Sequence, residues 1–247
     1  MKRLMCISTG CFHSRHVKKE APANEKIKLC SKLDVDGIEL IFAHVEHLAN
    51  FKLNKESVNI LKNMKFNTIH LPFYQKIKKS EDFIFNDSPL VKRVMNKAYR
   101  LYDQIDAKNI VIHSNLVKNY ELFDVLNYQH SIENMEFKHH FKISDYSKIL
   151  KENPSFKMVF DTTHAGEGKE MHTLIKNFKN KMIYCHLSSN YFNHLHIPFH
   201  VLNKEYLKPF EPIKKLNMPV ILESQIGAKT INEYKKEVDF VRKWLRC

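Results

Sequence analysis

The sequence is poor in glycine, with five in 247 residues, and in arginine, with six against 34 lysines; it holds a single tryptophan. So few glycines leave little material for a phosphate-cradling loop, and neither G-x-G-x-x-G nor G-x-x-x-x-G-K-[ST] occurs, which counts against a nucleotide-binding doubly wound sheet. The five cysteines (Cys6, Cys11, Cys30, Cys185, Cys247) are odd in number, scattered, and never form a Cys-x-x-Cys pair. A disulfide framework and a zinc finger are therefore unsupported, and reduced thiols are expected. No apolar run approaches the roughly 18 residues needed to cross a bilayer. The opening MKRLMCISTG is basic and briefly apolar, but charged residues follow where a signal peptide needs more apolar length, so an untargeted, cytoplasmic chain is expected. With no Gly/Ser-rich linker, low-complexity tract or repeat, one domain spanning residues 1–247 is the default.

What is present is an alternation. Eight short apolar, β-branched runs (Leu4 to Thr9, Gly37 to Phe42, Asn67 to Pro72, Asn109 to Ser114, His130 to Met135, Lys157 to Asp161, Met182 to Leu187, Pro219 to Ser224) are separated by stretches mostly of helical spacing. Val91, Val94, Ala98, Leu101 and Ile105 form one such stripe, and Ile231, Tyr234, Val238, Val241 and Leu245 another. Eight strands with intervening helices, in a chain near the ~250 residues usual for the fold, predict an α/β (β/α)8 TIM barrel. The thinnest connection is Leu116 to Tyr128, with room for only a helical turn or two. The formal net charge of +13 suits a polyanionic partner, although a lysine-for-arginine skew of this kind also follows from codon bias.

The chemistry sits where the runs end, at the barrel mouth that carries active sites in this architecture. Those ends read Thr-Ile-His70-Leu-Pro, Ile-Val-Ile-His113-Ser, Ser-Ile-Glu133-Asn, Val-Phe-Asp161-Thr-Thr-His164, Ile-Tyr-Cys-His186-Leu, His194-Leu-His196-Ile-Pro and Val-Ile-Leu-Glu223-Ser. Singly, each is an ordinary core, rim or capping residue. Together they would bury several acids and imidazoles at one mouth, which is costly without cations. Mixed His and carboxylate shells suit Zn, Mn or Fe better than Mg or Ca.

These motifs resemble the xylose-isomerase-like barrels, and among them the endonuclease IV (AP endonuclease family 2) group. Asp161-Thr-Thr-His164-Ala is similar to that group's Asp-Thr-Cys-His-Ala, His186-Leu-Ser-Ser-Asn to its His-Leu-Asn-Asp-Ser, and Val-Ile-Leu-Glu223-Ser to its Ile-Leu-Glu-Thr. The resemblance implies up to three divalent ions. His70, His113 and Glu133 would hold one; Glu133, bridging, with Asp161, His186 and Glu223 a second; His164 with the His194-Leu-His196 pair a third. The group has Asp-x-His at that last pair, so the third set here carries one negative charge less, and His200 is an alternative donor. The implied activity is hydrolysis of DNA at abasic sites by metal-bound hydroxide, with Glu133 and Glu223 as the catalytic carboxylates that hold metals and orient water.

A rival from another class is a one-metal sugar isomerase or epimerase on the same barrel. It would use Glu133, Asp161, His186 and Glu223, the two glutamates flanking the carbon that loses and regains a proton. His70-Leu-Pro-Phe-Tyr and Asp36-Gly-Ile-Glu39-Leu lean toward that side of the superfamily. A binding module using only the Lys-rich faces would demand nothing of the strand ends. Tyr74, Arg15 and His16 are candidate wedge or phosphate contacts, with a solvated rim the blander reading. His44, His47, His139, His140 and His172 read as surface, although His139-His140 follows the fifth run closely enough to reach the mouth. Trp244 reads as part of a closing helix.

Overall fold

The computed structural model describes residues 2–12, 22–76, 79–135, 141–165, 169–191, 196–226 and 231–246. Ten strands occur among them: β1 Met5–Ser8, β2 Gly37–Ile41, β3 Thr68–His70, β4 Tyr74–Lys76, β5 Lys79–Asp82, β6 Asn109–His113, β7 His130–Glu133, β8 Lys157–Asp161, β9 Met182–Leu187 and β10 Val220–Leu222. Eight close into a parallel barrel in the order β1-β10-β9-β8-β7-β6-β3-β2, and each lies inside one of the eight apolar runs. Parallel strands covered on both faces need continuous apolar sequence, which runs such as Ile110-Val111-Ile112 supply.

The helices are α1 Ala23–Cys30, α2 Val45–Asn50, α3 Lys55–Lys62, α4 Pro89–Gln104, α5 Ile143–Glu152, α6 Lys169–Phe178, α7 Lys204–Leu207 and α8 Ile231–Leu245. α4 starts where Ser88 accepts a hydrogen bond from Val91 N at 3.3 Å and Pro89 occupies the first turn, and it buries Val91, Val94, Ala98 and Leu101. α8 buries Tyr234, Val238, Val241 and Leu245. Trp244 packs on Phe199 at 5.3 Å and under the Lys214 ammonium, a structural role. None of these helices is long and apolar enough to cross a membrane. Cys6, Cys11, Cys30 and Cys185 are buried and free.

One connection is as thin as expected, and another departs from the expected pattern. Between β6 and β7 there is no α-helix, only the 3-10 turns Ser114–Leu116 and Tyr120–Phe123. Between β3 and α4 stands the polar β4–β5 hairpin, which the sequence pattern does not announce because it lacks alternating apolar residues. Tyr74 lies on it, half-buried, its ring 5.6 Å from His44 at the barrel rim.

Strand parity decides what faces the barrel interior. A lower inward layer (Cys6, Val111, Val159, Tyr184, Ile221) forms an apolar cluster of its own, separate from the larger core between sheet and helices. Two residues further along β6, β8, β9 and β10, the same parity aims His113, Asp161, His186 and Glu223 inward. Gly37 permits the tight start of β2: a Cβ there would lie 1.7 Å from the Phe66 carbonyl oxygen.

Candidate metal centre

At the C-terminal mouth of the barrel two groups of side chains offer atoms within 4.8 Å of one another: His70, His113 and Glu133, and then Glu133, Asp161, His186 and Glu223. They come from β3, β6, β7, β8, β9 and the end of β10. Glu133 belongs to both groups. Its Oε2 lies 3.1 Å from His70 Nε2 and 3.5 Å from His113 Nε2, and its Oε1 lies 3.0 Å from His186 Nδ1. His186 Nδ1 also faces Asp161 Oδ2 at 3.8 Å and Glu223 Oε2 at 3.7 Å.

Hydrogen bonds fix the tautomers. His70 Nδ1 donates to the Leu71 carbonyl at 2.9 Å, so the lone pair of its neutral ring is on Nε2 and points at the Glu133 carboxylate. A lone pair facing an anionic oxygen is repulsive unless a cation or a proton stands between them. His164 Nδ1 likewise donates to Asn134 O at 3.1 Å, leaving Nε2 as the acceptor. Asn134 ties this region together: its amide donates to Asp161 O at 2.9 Å, and its side-chain oxygen accepts from Asp161 N at 2.8 Å.

The charges are buried and only partly compensated. Glu39, Glu133, Asp161 and Glu223 are all buried, and Glu39 Oε1, Asp161 Oδ2 and Glu223 Oε1 lack a hydrogen-bond partner. Burial pushes the Glu223 carboxyl well above the usual range and Asp161 up from 3.8 to about 6. Burial acts the same way on Glu133 and Glu39, but the charge and hydrogen bonds of His186 outweigh it and hold both below the usual range. His186 is pulled the other way: burial lowers it, and Glu223, Glu39 and Glu133 together raise it well above an ordinary imidazole. Burial keeps His113 neutral, the form that donates to metals. Unpartnered acid oxygens beside neutral imidazole nitrogens are a donor set that fits divalent transition ions.

The third set is only partly assembled among the described residues. His164 and His196 have ring centroids 6.1 Å apart, and His196 Nδ1 is 3.0 Å from Ser188 Oγ and 4.0 Å from Glu223 Oε2. His196 takes a left-handed backbone conformation, φ 61°, uncommon for a non-glycine residue and concentrated at functional sites. His194 lies outside the described residues, as do Arg15, His16, His139 and His140. His200 is anchored through its other nitrogen: Nδ1 donates to Glu237 Oε2 at 2.7 Å, and Glu237 also accepts from the Phe199 and His200 amides and the Ser224 hydroxyl, so His200 is tied to α8.

Sequence reasoning gives no role at the site to Glu39, Asn134 or Glu237. Glu39 has a usable signal, an acid inside the apolar run Gly-Ile-Glu-Leu-Ile at inward parity. Asn134 and Glu237 act through backbone partners distant in sequence, for which no local motif exists.

No protein-family model matches the sequence, and no curated protein sequence matches it. Solved structures do. Endonuclease IV from Thermus thermophilus superposes with a TM-score of 0.63 at 12% identity, covering 98% of this chain and 99% of that one. AP endonuclease, family 2 from Brucella melitensis gives 0.63 at 15%, over 94% and 96%. L-ribulose 3-epimerase gives 0.64 at 10%, over 99% and 95%. Identities this low speak for the fold alone, the (β/α)8 barrel.

Proposed function

We propose that this chain is a metal-dependent phosphodiester hydrolase that cuts DNA at abasic sites. The carrying observation is the first group: the Nε2 atoms of His70 and His113 converge on the same Glu133 oxygen, and Glu133 is shared with a second, four-residue group. An isomerase needs only the second group. A hydrolase working on a phosphodiester uses both.

His70, His113 and Glu133 would hold one divalent ion, and Glu133, Asp161, His186 and Glu223 the other. His164 and His196, with His194, would serve a third ion or the substrate phosphate. Bound divalent ions, zinc being the best match to this donor set with manganese or iron also suited, supply charge that lowers the pKa of water and neutralises phosphoryl oxygens. The chain's own contribution is placement. Glu133 and Glu223 accept hydrogen bonds from the attacking water and orient it, while the imidazoles of His113, His164 and His196, 14%, 10% and 19% exposed, line the way in from solvent. Buried acids below and slightly exposed imidazoles above suit a substrate presenting an anionic phosphate at the mouth. The lysine excess favours a polyanion at long range.

A metal-dependent sugar isomerase or epimerase is the second reading. The likeness to L-ribulose 3-epimerase and the four-residue group, sufficient for a one-metal site, favour it. A duplex carrying one abasic analogue separates the two. Nicking on the 5′ side of the lesion by metal-loaded protein is expected; intact duplex, together with exchange of a ketose C3 proton with solvent, would replace the hydrolase with the epimerase.

A further inference from the structure

Beneath the candidate metal centre, inside the barrel, lies a line of polar side chains that the proposed chemistry does not use. Ser131 Oγ donates to Asn109 Oδ1 at 2.8 Å, Asn109 Nδ2 donates to Tyr184 OH at 3.1 Å, and Tyr184 OH donates to Glu39 Oε2 at 3.4 Å. Thr68 Oγ1 also donates to Glu39 Oε2, at 2.8 Å. The direction is forced: the Asn109 amide occupies the Tyr184 oxygen as a donor, so the phenol proton is directed at Glu39. The line therefore ends on a carboxylate that only accepts.

The imidazole nitrogen hydrogen-bonded to that carboxylate is His186 Nε2, 3.1 Å from Glu39 Oε2. An acceptor-only oxygen requires Nε2 to carry the proton. In the neutral ring the lone pair is then on Nδ1, which faces Glu133, Asp161 and Glu223. His186 is completely buried, so its ring is shielded from bulk solvent.

We infer that Glu39 is a positioning residue: by accepting the Nε2 proton of His186 from inside the barrel, it sets the tautomer and ring orientation that make Nδ1 a ligand of the second divalent ion. It touches neither substrate nor ion and acts through His186, in the manner of carboxylate–histidine–metal relays. The inference rests on the metal reading given above.

The test compares wild type, E39Q and E39L. The glutamine keeps an acceptor oxygen at the same length, whereas the leucine keeps the volume and removes every acceptor. Zinc binding is measured by chelator competition, and the His186 ring nitrogens are followed by long-range proton–nitrogen NMR of the zinc-loaded protein. Expected are a wild-type His186 protonated on Nε2, a roughly 10–100-fold loss of affinity for one of two ions in E39L, and partial rescue in E39Q. E39L that loads both ions like wild type, or a His186 metallated through Nε2, overturns the inference while leaving the metal reading standing. A wild-type chain that takes up no divalent ion overturns both. Should E39L fail to fold, the zinc-loaded wild-type spectrum decides the matter: His186 protonated on Nε2 and metallated through Nδ1 supports the inference, and metallation through Nε2 refutes it.

Discussion

Replacing Asp161 by Asn should stabilise the metal-free protein near neutral pH while abolishing uptake of one ion. Asp161 is wholly buried; its Oδ1 accepts from the His164 amide at 2.7 Å, its Oδ2 has no hydrogen-bond partner, and Glu133 lies close enough to repel it. Burial and that repulsion lift its carboxyl from 3.8 to about 6. Because the folded state holds the proton more tightly than the unfolded state does, this group's contribution is fully present below the ordinary value. It is lost as pH rises through the raised one. A lift of that size corresponds to roughly 3 kcal/mol of folded-state destabilisation at neutral pH, at about 1.4 kcal/mol per tenfold change. The asparagine keeps an oxygen for the His164 amide and turns an NH₂ toward Glu133, removing the penalty. Relaxation around a coupled cluster reduces the gain, so an increase of about 1–3 kcal/mol is expected, or roughly 2–10 °C in Tm for a chain of this size. The assay is thermal unfolding of chelator-treated D161N and wild type across about pH 4 to 8, with and without zinc. Wild type should lose stability relative to D161N as pH rises through 6 and should recover with zinc, whereas D161N should respond to zinc far less. A metal-free D161N that is less stable than wild type above pH 6, or that parallels it at every pH, would refute the reasoning.

Three other substitutions probe the architecture. H113A removes a ligand of the first group only, and should cost about one ion per chain by elemental analysis and at least ~100-fold in abasic-site nicking, with folding checked by circular dichroism. Under the sugar reading its ion content would not change. E223Q should reduce turnover by roughly 100-fold or more under either reading, since both use that carboxylate, with folding intact by circular dichroism. G37A should destabilise by about 3 kcal/mol or more in chemical denaturation, because the new Cβ meets backbone at Phe66 that cannot yield. G10A is its milder control: the nearest atom there, at 3.1 Å, belongs to the movable side chain of Ile41.

The barrel is legible in the sequence because both of its rules are local. A strand covered on both faces must be apolar along its whole length, and its last inward residue marks the mouth; Ile110 to His113 shows both in four letters. His70, His113, Glu133, Asp161, His186 and Glu223 stand out as polar residues ending apolar runs, and the closed sheet brings all six together. Features that depend on tertiary partners stay hidden. The loop Leu116 to Tyr128 has the length for a helical turn, yet its backbone pairs with the β3–α4 connection, Phe85 N donating to Leu116 O at 2.8 Å and Lys118 N to Phe85 O at 3.0 Å, so 3-10 turns suffice. His200 looks as good a donor as His196 in sequence. That Glu237, brought from α8, holds its Nδ1 is visible only in the fold.

Charge balance connects the centre's metal-free state to its loaded one. Four carboxylates, those of Glu39, Glu133, Asp161 and Glu223, are buried around the imidazole of His186. Without ions, protons offset part of this charge: the acids drive His186 well above an ordinary imidazole, and burial pushes Glu223 well above an ordinary carboxyl. Two divalent ions carry the charge of four carboxylates, and they can enter only if the proton on His186 Nδ1 and the proton on Glu223 leave. One ion would leave two negative charges uncompensated and would favour keeping a proton. Loading should therefore expel about two protons per chain at neutral pH, and the combined two-ion affinity should fall about 100-fold per pH unit as pH drops, roughly tenfold per ion. Calorimetric titration with zinc in buffers of differing ionisation enthalpy counts them directly. Release of about two protons with two ions bound is expected; one ion bound with no proton release would mean that the acids share their charge in some other way, and would remove the physical basis for a shared Glu133.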